Sequence, residues 1–332
     1  MAPATSGTQT ALEATASLYA KVKDVIPPAE WTLFADDIVA IQRLKKERKA
    51  LILAHNYQTP EIFHGVADIT GDSLALAREA ERAQADVIVM AGVRFMAETA
   101  KILNPTRTVL MPDLRAGCSL ADSITAEDVR TLRAQHPGVP IVAYVNTSAE
   151  VKAEVDICCT SGNAQKIVES LGVPSVIMVP DKYLARNVAA QTSVTVIPWE
   201  GACEVHERFT PDDVATWRES YPGLSVLAHP ECPPEVVALA DYAGSTAQMS
   251  AWIAAHRPAR TLLLTECSMS ANLAADYPDV AFVRPCALCP HMKRITLKGI
   301  RKALETLTHP VTVPDAIAAR ARHAIERMLA VA

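Results

Sequence analysis

Three stretches of the chain repeat one order of residues, and this repeat limits the possible folds more than any other feature of the sequence. The first runs from Ala54-His55-Asn56-Tyr57 through Ala67-Asp68-Ile69-Thr70-Gly71-Asp72-Ser73 to a β-branched run and then Cys118. The second runs from Ala143-Tyr144-Val145-Asn146 through Val155-Asp156-Ile157-Cys158-Cys159-Thr160-Ser161 to Cys203. The third runs from Ala228-His229-Pro230-Glu231 through Ala240-Asp241-Tyr242-Ala243-Gly244-Ser245-Thr246 to Cys289. In every copy the Asp stands five residues before the hydroxyl residue (68 to 73, 156 to 161, 241 to 246). The strand-end residues 55, 144 and 229 precede their cysteines by 63, 59 and 60 residues. Three copies of a strand–loop–helix–strand–helix–strand unit make a pseudo-threefold molecule.

Short β-branched runs at 51–54, 86–91, 108–111, 141–145, 175–179, 194–197, 225–228, 261–265 and 280–283 read as buried strands. Amphipathic stretches such as 73–84, 163–171 and 248–256 alternate with them, so the expected class is α/β with mainly parallel sheets. Residues 10–48 and 296–331 read as flanking helices. The expected division is a helical extension over 1–36, repeats over 37–118, 119–203 and 204–289, and helices over 290–332 that pack on the repeats.

Charge narrows the function. Thirty-two Lys and Arg against 37 Asp and Glu leave a net charge of −5, with no basic surplus to meet a phosphate backbone, so no nucleic-acid partner is expected. Half the residues are hydrophobic and 21% are charged, as in a globular protein with a substantial core. The longest apolar runs are too short to span a bilayer, so no membrane partner is expected. The first ten residues lack a basic start and an apolar core, so a cytoplasmic location is expected. Eight cysteines are too few for a disulfide scaffold, and reduced cytoplasmic thiols serve as metal ligands, catalytic groups or filler.

Ligands of parallel sheets gather at the carboxyl ends of strands. There the repeat places His55 with Tyr57, Tyr144 with Asn146, and His229 with Glu231. Ser73, Ser161 and Thr246 then open helices. One such hydroxyl alone reads as an N-cap, but three around one axis aim three helix N-termini at one spot. The ligand this suits is small and carries two or three anionic groups. No G-x-G-x-x-G supports a dinucleotide. The repeat also selects Cys118, Cys203 and Cys289 as equivalents. Three thiolates without a clear fourth ligand fit an iron–sulfur cluster with one open iron better than structural zinc. Cys158, Cys159, Cys232 and Cys267 read as small apolar filler. Cys286 forms a C-x-x-C with Cys289, but no second pair completes a four-cysteine zinc site. His206 reads either as a core histidine or as a side chain aimed into the same cavity.

Together these residues resemble the quinolinate synthase family, which acts second in NAD biosynthesis from aspartate. The resemblance rests on Ala54-His55-Asn56-Tyr57, Gly71-Asp72-Ser73, the 116–122 segment around Cys118, and Tyr144-Val145-Asn146-Thr147. It continues through Thr160-Ser161-Gly162-Asn163, Gly201-Ala202-Cys203-Glu204-Val205-His206, His229-Pro230-Glu231-Cys232, Gly244-Ser245-Thr246 and Cys289-Pro290-His291-Met292-Lys293. It implies three similar α/β/α sandwich domains around a pseudo-threefold axis, and a [4Fe–4S] cluster on Cys118, Cys203 and Cys289. The implied reaction condenses iminosuccinate with dihydroxyacetone phosphate to quinolinate, phosphate and water, the open iron acting as Lewis acid in the dehydration. A functional link to an iminosuccinate-producing aspartate oxidase or dehydrogenase is also implied. Where many bacterial members carry C-x-x-C-x-x-C, the first position here is Val283.

Within that chemistry Tyr57, His229 and Glu231, with His206 behind them, are the candidates for moving protons. Burial near bound anions is expected to raise the Glu231 pKa. His55, Ser73, Tyr144, Val145, Asn146, Ser161, His229, Pro230, Glu231 and Thr246 are the candidates for holding substrate. Two other readings compete: a cluster-containing redox or oxygen sensor, and a zinc-stabilised binding protein for small dicarboxylates. The sequence shows neither a partner surface nor a nucleic-acid module for the first.

Overall fold

A computed structural model describes residues 5–285 and 287–331. Twelve strands form three four-stranded sheets, every pairing parallel. The first sheet holds β1 (Ala50–His55), β2 (Ile69–Gly71), β3 (Val87–Ala91) and β4 (Thr108–Leu110) in the order β2-β1-β3-β4. The second holds β5 (Ile141–Tyr144), β6 (Ile157–Cys159), β7 (Ser175–Val179) and β8 (Thr195–Pro198) in the order β6-β5-β7-β8. The third holds β9 (Ser225–Ala228), β10 (Tyr242–Ala243), β11 (Arg260–Leu264) and β12 (Ala281–Val283) in the order β10-β9-β11-β12. One topology, used three times with flanking helices, matches the expected three similar α/β/α units.

Each unit has four strands, one more than the sequence suggested. The extra ones, β2, β6 and β10, are edge strands of two or three residues, too short to leave a periodic signal. The repeated Asp docks each of them. Asp68, Asp156 and Asp241 accept the backbone N–H of Ile52, Ile141 and Val226 at 2.7–2.8 Å, and their own N–H groups return to the carbonyls of the same residues. A basic residue 23 positions upstream, Lys45, Arg133 or Arg218, pairs with each carboxylate at 2.6–3.1 Å. Cys158 and Cys159 lie buried in β6, and Cys232 is buried beyond β9, as expected of filler.

The third sheet shows why the central strands read as unbroken apolar runs. Val226, Ala228, Leu262 and Leu264 pack into one buried cluster, while Leu227 and Leu263 pack into another on the opposite face. The N-terminal flank is three helices, Thr5–Ala14, Ala16–Val22 and Pro28–Arg48, the last opened by proline at its first turn. Helices Leu297–Thr306 and Asp315–Val331 form the C-terminal flank. Arg48 reaches the Leu304 carbonyl at 3.2 Å, and Arg327 reaches that of Asp156 at 2.7 Å, so the flank is tied to the first helix layer and the second unit. Among the described residues no helix is long and apolar enough to cross a membrane. The carboxyl ends of β1, β5 and β9 all face one central cavity, and that is what the fold contributes to the site.

Candidate active site

The cavity is open to solvent, and the empty space in it and at its mouth amounts to about 720 Å³. His55, Tyr57 and Ser73 line it from the first unit, Tyr144, Asn146 and Ser161 from the second, and His206, His229, Glu231 and Thr246 complete the wall. Cys118, Cys203 and Cys289 line it as well. Two of the expected residues lie elsewhere. Val145 is buried against a separate small void beside Phe95 and Met96, and Pro230 sits in a cleft where its carbonyl accepts Asn187 Nδ2 at 2.8 Å. In a strand-end tripeptide the middle residue points away from its neighbours. Cys286 lies outside the described residues.

The two repeat-related histidines share one local geometry. His55 Nδ1 accepts the N–H of Tyr57 at 3.2 Å, and His229 Nδ1 accepts the N–H of Glu231 at 3.3 Å. Burial pulls each imidazole down to about 3, so both are neutral. A neutral ring with Nδ1 accepting carries its proton on Nε2. His229 Nε2–H meets Ser161 Oγ at 3.2 Å. Both rings are therefore fixed as uncharged donors.

Glu231 departs from expectation. Burial alone does push it up, but the pull of His206 and His229 and the hydrogen bonds from His206 and Tyr144 outweigh that, holding it below the usual carboxylate range. Its Oε2 accepts His206 Nδ1 at 2.8 Å and its Oε1 accepts the Tyr144 hydroxyl at 2.5 Å. Glu231 is an ionised acceptor, not a carboxylic acid held protonated near neutral pH. His206 is buried and lines the cavity. Burial raises the phenols of Tyr57 and Tyr144 well above their ordinary value, so both keep their protons.

The hydroxyls are not caps. Asp72 caps helix Ser73–Arg82 by accepting Ala75 N–H, and Ser245 caps helix Thr246–His256 through Gln248. Ser73 and Thr246 thus occupy the first helical position, free to face the cavity. Thr246 Oγ1 takes Asn56 Nδ2 at 2.8 Å. The second unit differs, since Ser161 lies in a turn and its helix, Ala164–Ser170, begins three residues later. Two helix N-termini of ten and eleven residues flank the cavity, not three. Asn146 Oδ1 is buried without a hydrogen-bond partner while its residue lines the cavity, an acceptor left for a ligand.

Each candidate thiol faces two backbone N–H groups: Cys118 those of Ala121 and Leu120, Cys203 those of His206 and Val205, Cys289 those of Met292 and His291. The cause is local. Each cysteine stands just before a short 3₁₀ turn (Ala121–Ser123, His206–Arg208, Met292–Arg294), whose free N–H groups turn back on the sulfur. Against that, burial pushes Cys118 up to about 12 and raises Cys203 and Cys289 too, so the bare thiols are protonated and metal loading must displace protons. A second donor group overlaps the first: one ligand atom each of Cys203, His206 and Glu231 lies within 4.8 Å of the others.

With this geometry in view, the comparisons decide the family. The family described as "Quinolinate synthetase A protein" matches residues 39–330. The chain is 69% identical over 316 residues to "Quinolinate synthase 2" of Mesorhizobium japonicum, covering 95% of this chain and 98% of that protein. It is 68% identical over 314 residues to the quinolinate synthase of Agrobacterium fabrum (95% and 91%), and 66% over 298 to that of Xylella fastidiosa (90% and 88%). This chain belongs to the quinolinate synthase family. It is an enzyme, and the resemblance carried by its motifs extends over nearly its whole length.

Several residues of this quinolinate synthase fold had no counterpart in the repeat. Glu266 is fully buried, accepts Ser268 N–H at 2.8 Å and Cys289 N–H at 3.4 Å, and pairs with Lys293 Nζ at 2.8 Å. Lys293 also donates to the Tyr57 carbonyl at 2.7 Å and Ser268 Oγ at 2.6 Å, fastening the Cys289 segment to the Tyr57 loop. At the cysteine end, Glu204 accepts Ser119 Oγ at 3.1 Å and lies 3.3 Å from His291 Nε2, joining the segments that follow Cys118, Cys203 and Cys289. Replacing Lys293 by Met leaves Glu266 buried and unpaired, an arrangement that costs roughly 3–5 kcal/mol when one partner of a buried pair is removed. Urea unfolding is expected to show that loss, and the double change Lys293→Met with Glu266→Gln should recover much of it. A single variant as stable as wild type would remove the ion pair from the stability account.

Proposed function

We propose that the chain condenses iminosuccinate with dihydroxyacetone phosphate to quinolinate, phosphate and water, and holds a [4Fe–4S] cluster on Cys118, Cys203 and Cys289. The observation that carries this is the pairing of three N–H-cradled thiols with uncharged donors around one cavity. Three thiolates are the donor set for a cluster that leaves one iron open, and N–H groups directed at sulfur tune such clusters. When bound, the cluster supplies a Lewis-acidic iron that makes hydroxide a feasible leaving group.

The remaining work falls to the protein. The substrates bring two carboxylates and a phosphate. His55 and His229 offer Nε2–H donors, Ser73, Ser161 and Thr246 offer hydroxyls, and two helix N-termini add positive potential. Asn146 Oδ1 accepts a substrate N–H or O–H. Tyr57 and Tyr144 stand where enolisation, imine formation and ring closure need protons placed and removed. Glu231 orients Tyr144 and His206 from behind. An iminosuccinate-producing aspartate oxidase or dehydrogenase supplies the first substrate.

The overlapping Cys203–His206–Glu231 group supports a second reading, a mononuclear metal site. It is the weaker one, because both Glu231 oxygens and both His206 nitrogens are already in hydrogen bonds. The deciding experiment is an anaerobic assay of protein loaded with iron and sulfide, given freshly formed iminosuccinate and dihydroxyacetone phosphate. Quinolinate production with the broad brown absorption of a cluster is expected. No quinolinate would sink the reaction assignment, and quinolinate from a colourless single-metal protein would sink the cluster.

A further inference from the structure

The two turns that begin at the cavity histidines are closed in the same way. The His55 carbonyl accepts the N–H of Gln58, and the His229 carbonyl accepts that of Cys232, both at 2.9 Å. Two further carbonyls of each turn, one and three residues past the histidine, are taken by a single buried asparagine of a neighbouring unit. Asn272 Nδ2 donates to the carbonyls of Asn56 at 3.1 Å and Gln58 at 2.8 Å. Asn187 Nδ2 donates to those of Pro230 at 2.8 Å and Cys232 at 2.9 Å. Both asparagines are the sixth residue of the helix that follows their unit's third strand, Lys182–Ala189 after β7 and Cys267–Asp276 after β11. The second unit thus grips the third, and the third grips the first.

Carbonyls only accept, so each amide must turn its nitrogen to the turn, and its two hydrogens serve two carbonyls. Asn272 does this although its Oδ1 is then buried without a partner. The first unit breaks the pattern. The sixth residue of its helix Arg94–Leu103 is Thr99, whose Oγ1 returns to the Phe95 carbonyl at 2.8 Å. Thr99 and Val145 line the same small void, so this threonine stands beside the second unit's turn while its hydroxyl stays on its own helix. There Lys152, from the second unit itself, holds the Thr147 carbonyl. We propose that Asn187 and Asn272 are positioning residues, each setting, from the neighbouring unit, the turn that aims one cavity histidine (His229 or His55) at substrate.

Thr99 shows which side chain the helix accepts at this place, so threonine is the test substitution. Asn187→Thr is expected to speed amide hydrogen exchange at Glu231 and Cys232 by about 10-fold while Tyr57 and Gln58 stay unchanged. Asn272→Thr should do the reverse. This readout needs neither substrate nor cluster. The effect on turnover rests on the proposed condensation, so wild-type protein is assayed in parallel. Each variant should lose kcat/KM by about 10-fold to 10²-fold, the scale of a misplaced reacting group. The losses should also be selective. Asn187→Thr should add little in a His229→Ala background and its full effect in a His55→Ala background, with the converse for Asn272→Thr. Alanine at either position serves if a threonine protein does not fold, and the same pattern is expected. Unchanged exchange, exchange raised equally in both turns, or losses that add fully with the histidine being aimed would each overturn the proposal. Failure of the wild type to make quinolinate strikes the reaction assignment instead, and the exchange pattern still decides the role of the asparagines.

Discussion

Serine in place of Cys118, Cys203 or Cys289 is expected to leave a folded protein that retains no cluster and makes no quinolinate. Under the proposed assignment each thiol is one of three protein ligands, so removing any one exposes a second iron to solvent. Serine cannot compensate. Its hydroxyl is a poorer ligand for a soft site and is harder still to deprotonate where burial already raises the thiol. The backbone N–H groups that face each sulfur would be left facing a shorter, neutral oxygen. Serine at Cys158 or Cys232, buried in the core away from the cavity wall, should cost stability while iron and sulfide stay near wild-type amounts. Iron and sulfide analysis of anaerobically prepared variants, with the visible spectrum, makes the check. A Cys203→Ser protein with full iron content would move the ligand assignment elsewhere, first of all to the neighbouring His206 and Glu231.

Much of this arrangement was legible because the chain writes it three times. Any single copy offers only an Asp, a hydroxyl and a cysteine at ordinary spacing. Superposed, the copies select three thiols and bring the strand ends to one place. What escaped lay in contacts that run between copies. Glu231 was expected to be pushed toward the protonated form by burial, which is correct as far as burial goes. Of the opposing partners His229 stands two residues away in the same motif, but His206, 25 residues earlier, and Tyr144, 87 residues earlier, lie on different elements, and no local pattern announces those two. The short strands β2, β6 and β10 were hidden by length, although the Asp that docks each was already in the motif.

Glutamine at Glu231 is expected to keep the fold, the cluster and substrate binding while slowing turnover by roughly 10²–10⁴-fold, the usual worth of a proton-transfer array. Shape is almost unchanged, so packing does not explain the loss. Polarity does. The carboxylate accepts from Tyr144 and His206 at once, and an amide offers one acceptor and one donor. Either Tyr144 or His206 would then meet a donor where it now meets an acceptor. Tyr144 and His206, both on the cavity wall, would then lose the orientation that Glu231 gives them. Stability gives an independent readout with a definite sign. Glu231 is held below its ordinary value of 4.5, so the folded state favours the ionised form. That contribution is fully present above the ordinary carboxylate pKa and is lost as pH falls toward the lowered folded value. The stability gap between wild type and Glu231→Gln should therefore be widest near pH 7 and narrow on acidification. Denaturant unfolding at a series of pH values measures the gap, and quinolinate formation beside the cluster spectrum measures turnover. A glutamine variant with near-normal turnover and an intact cluster would show that the Glu231 charge orients nothing the reaction needs.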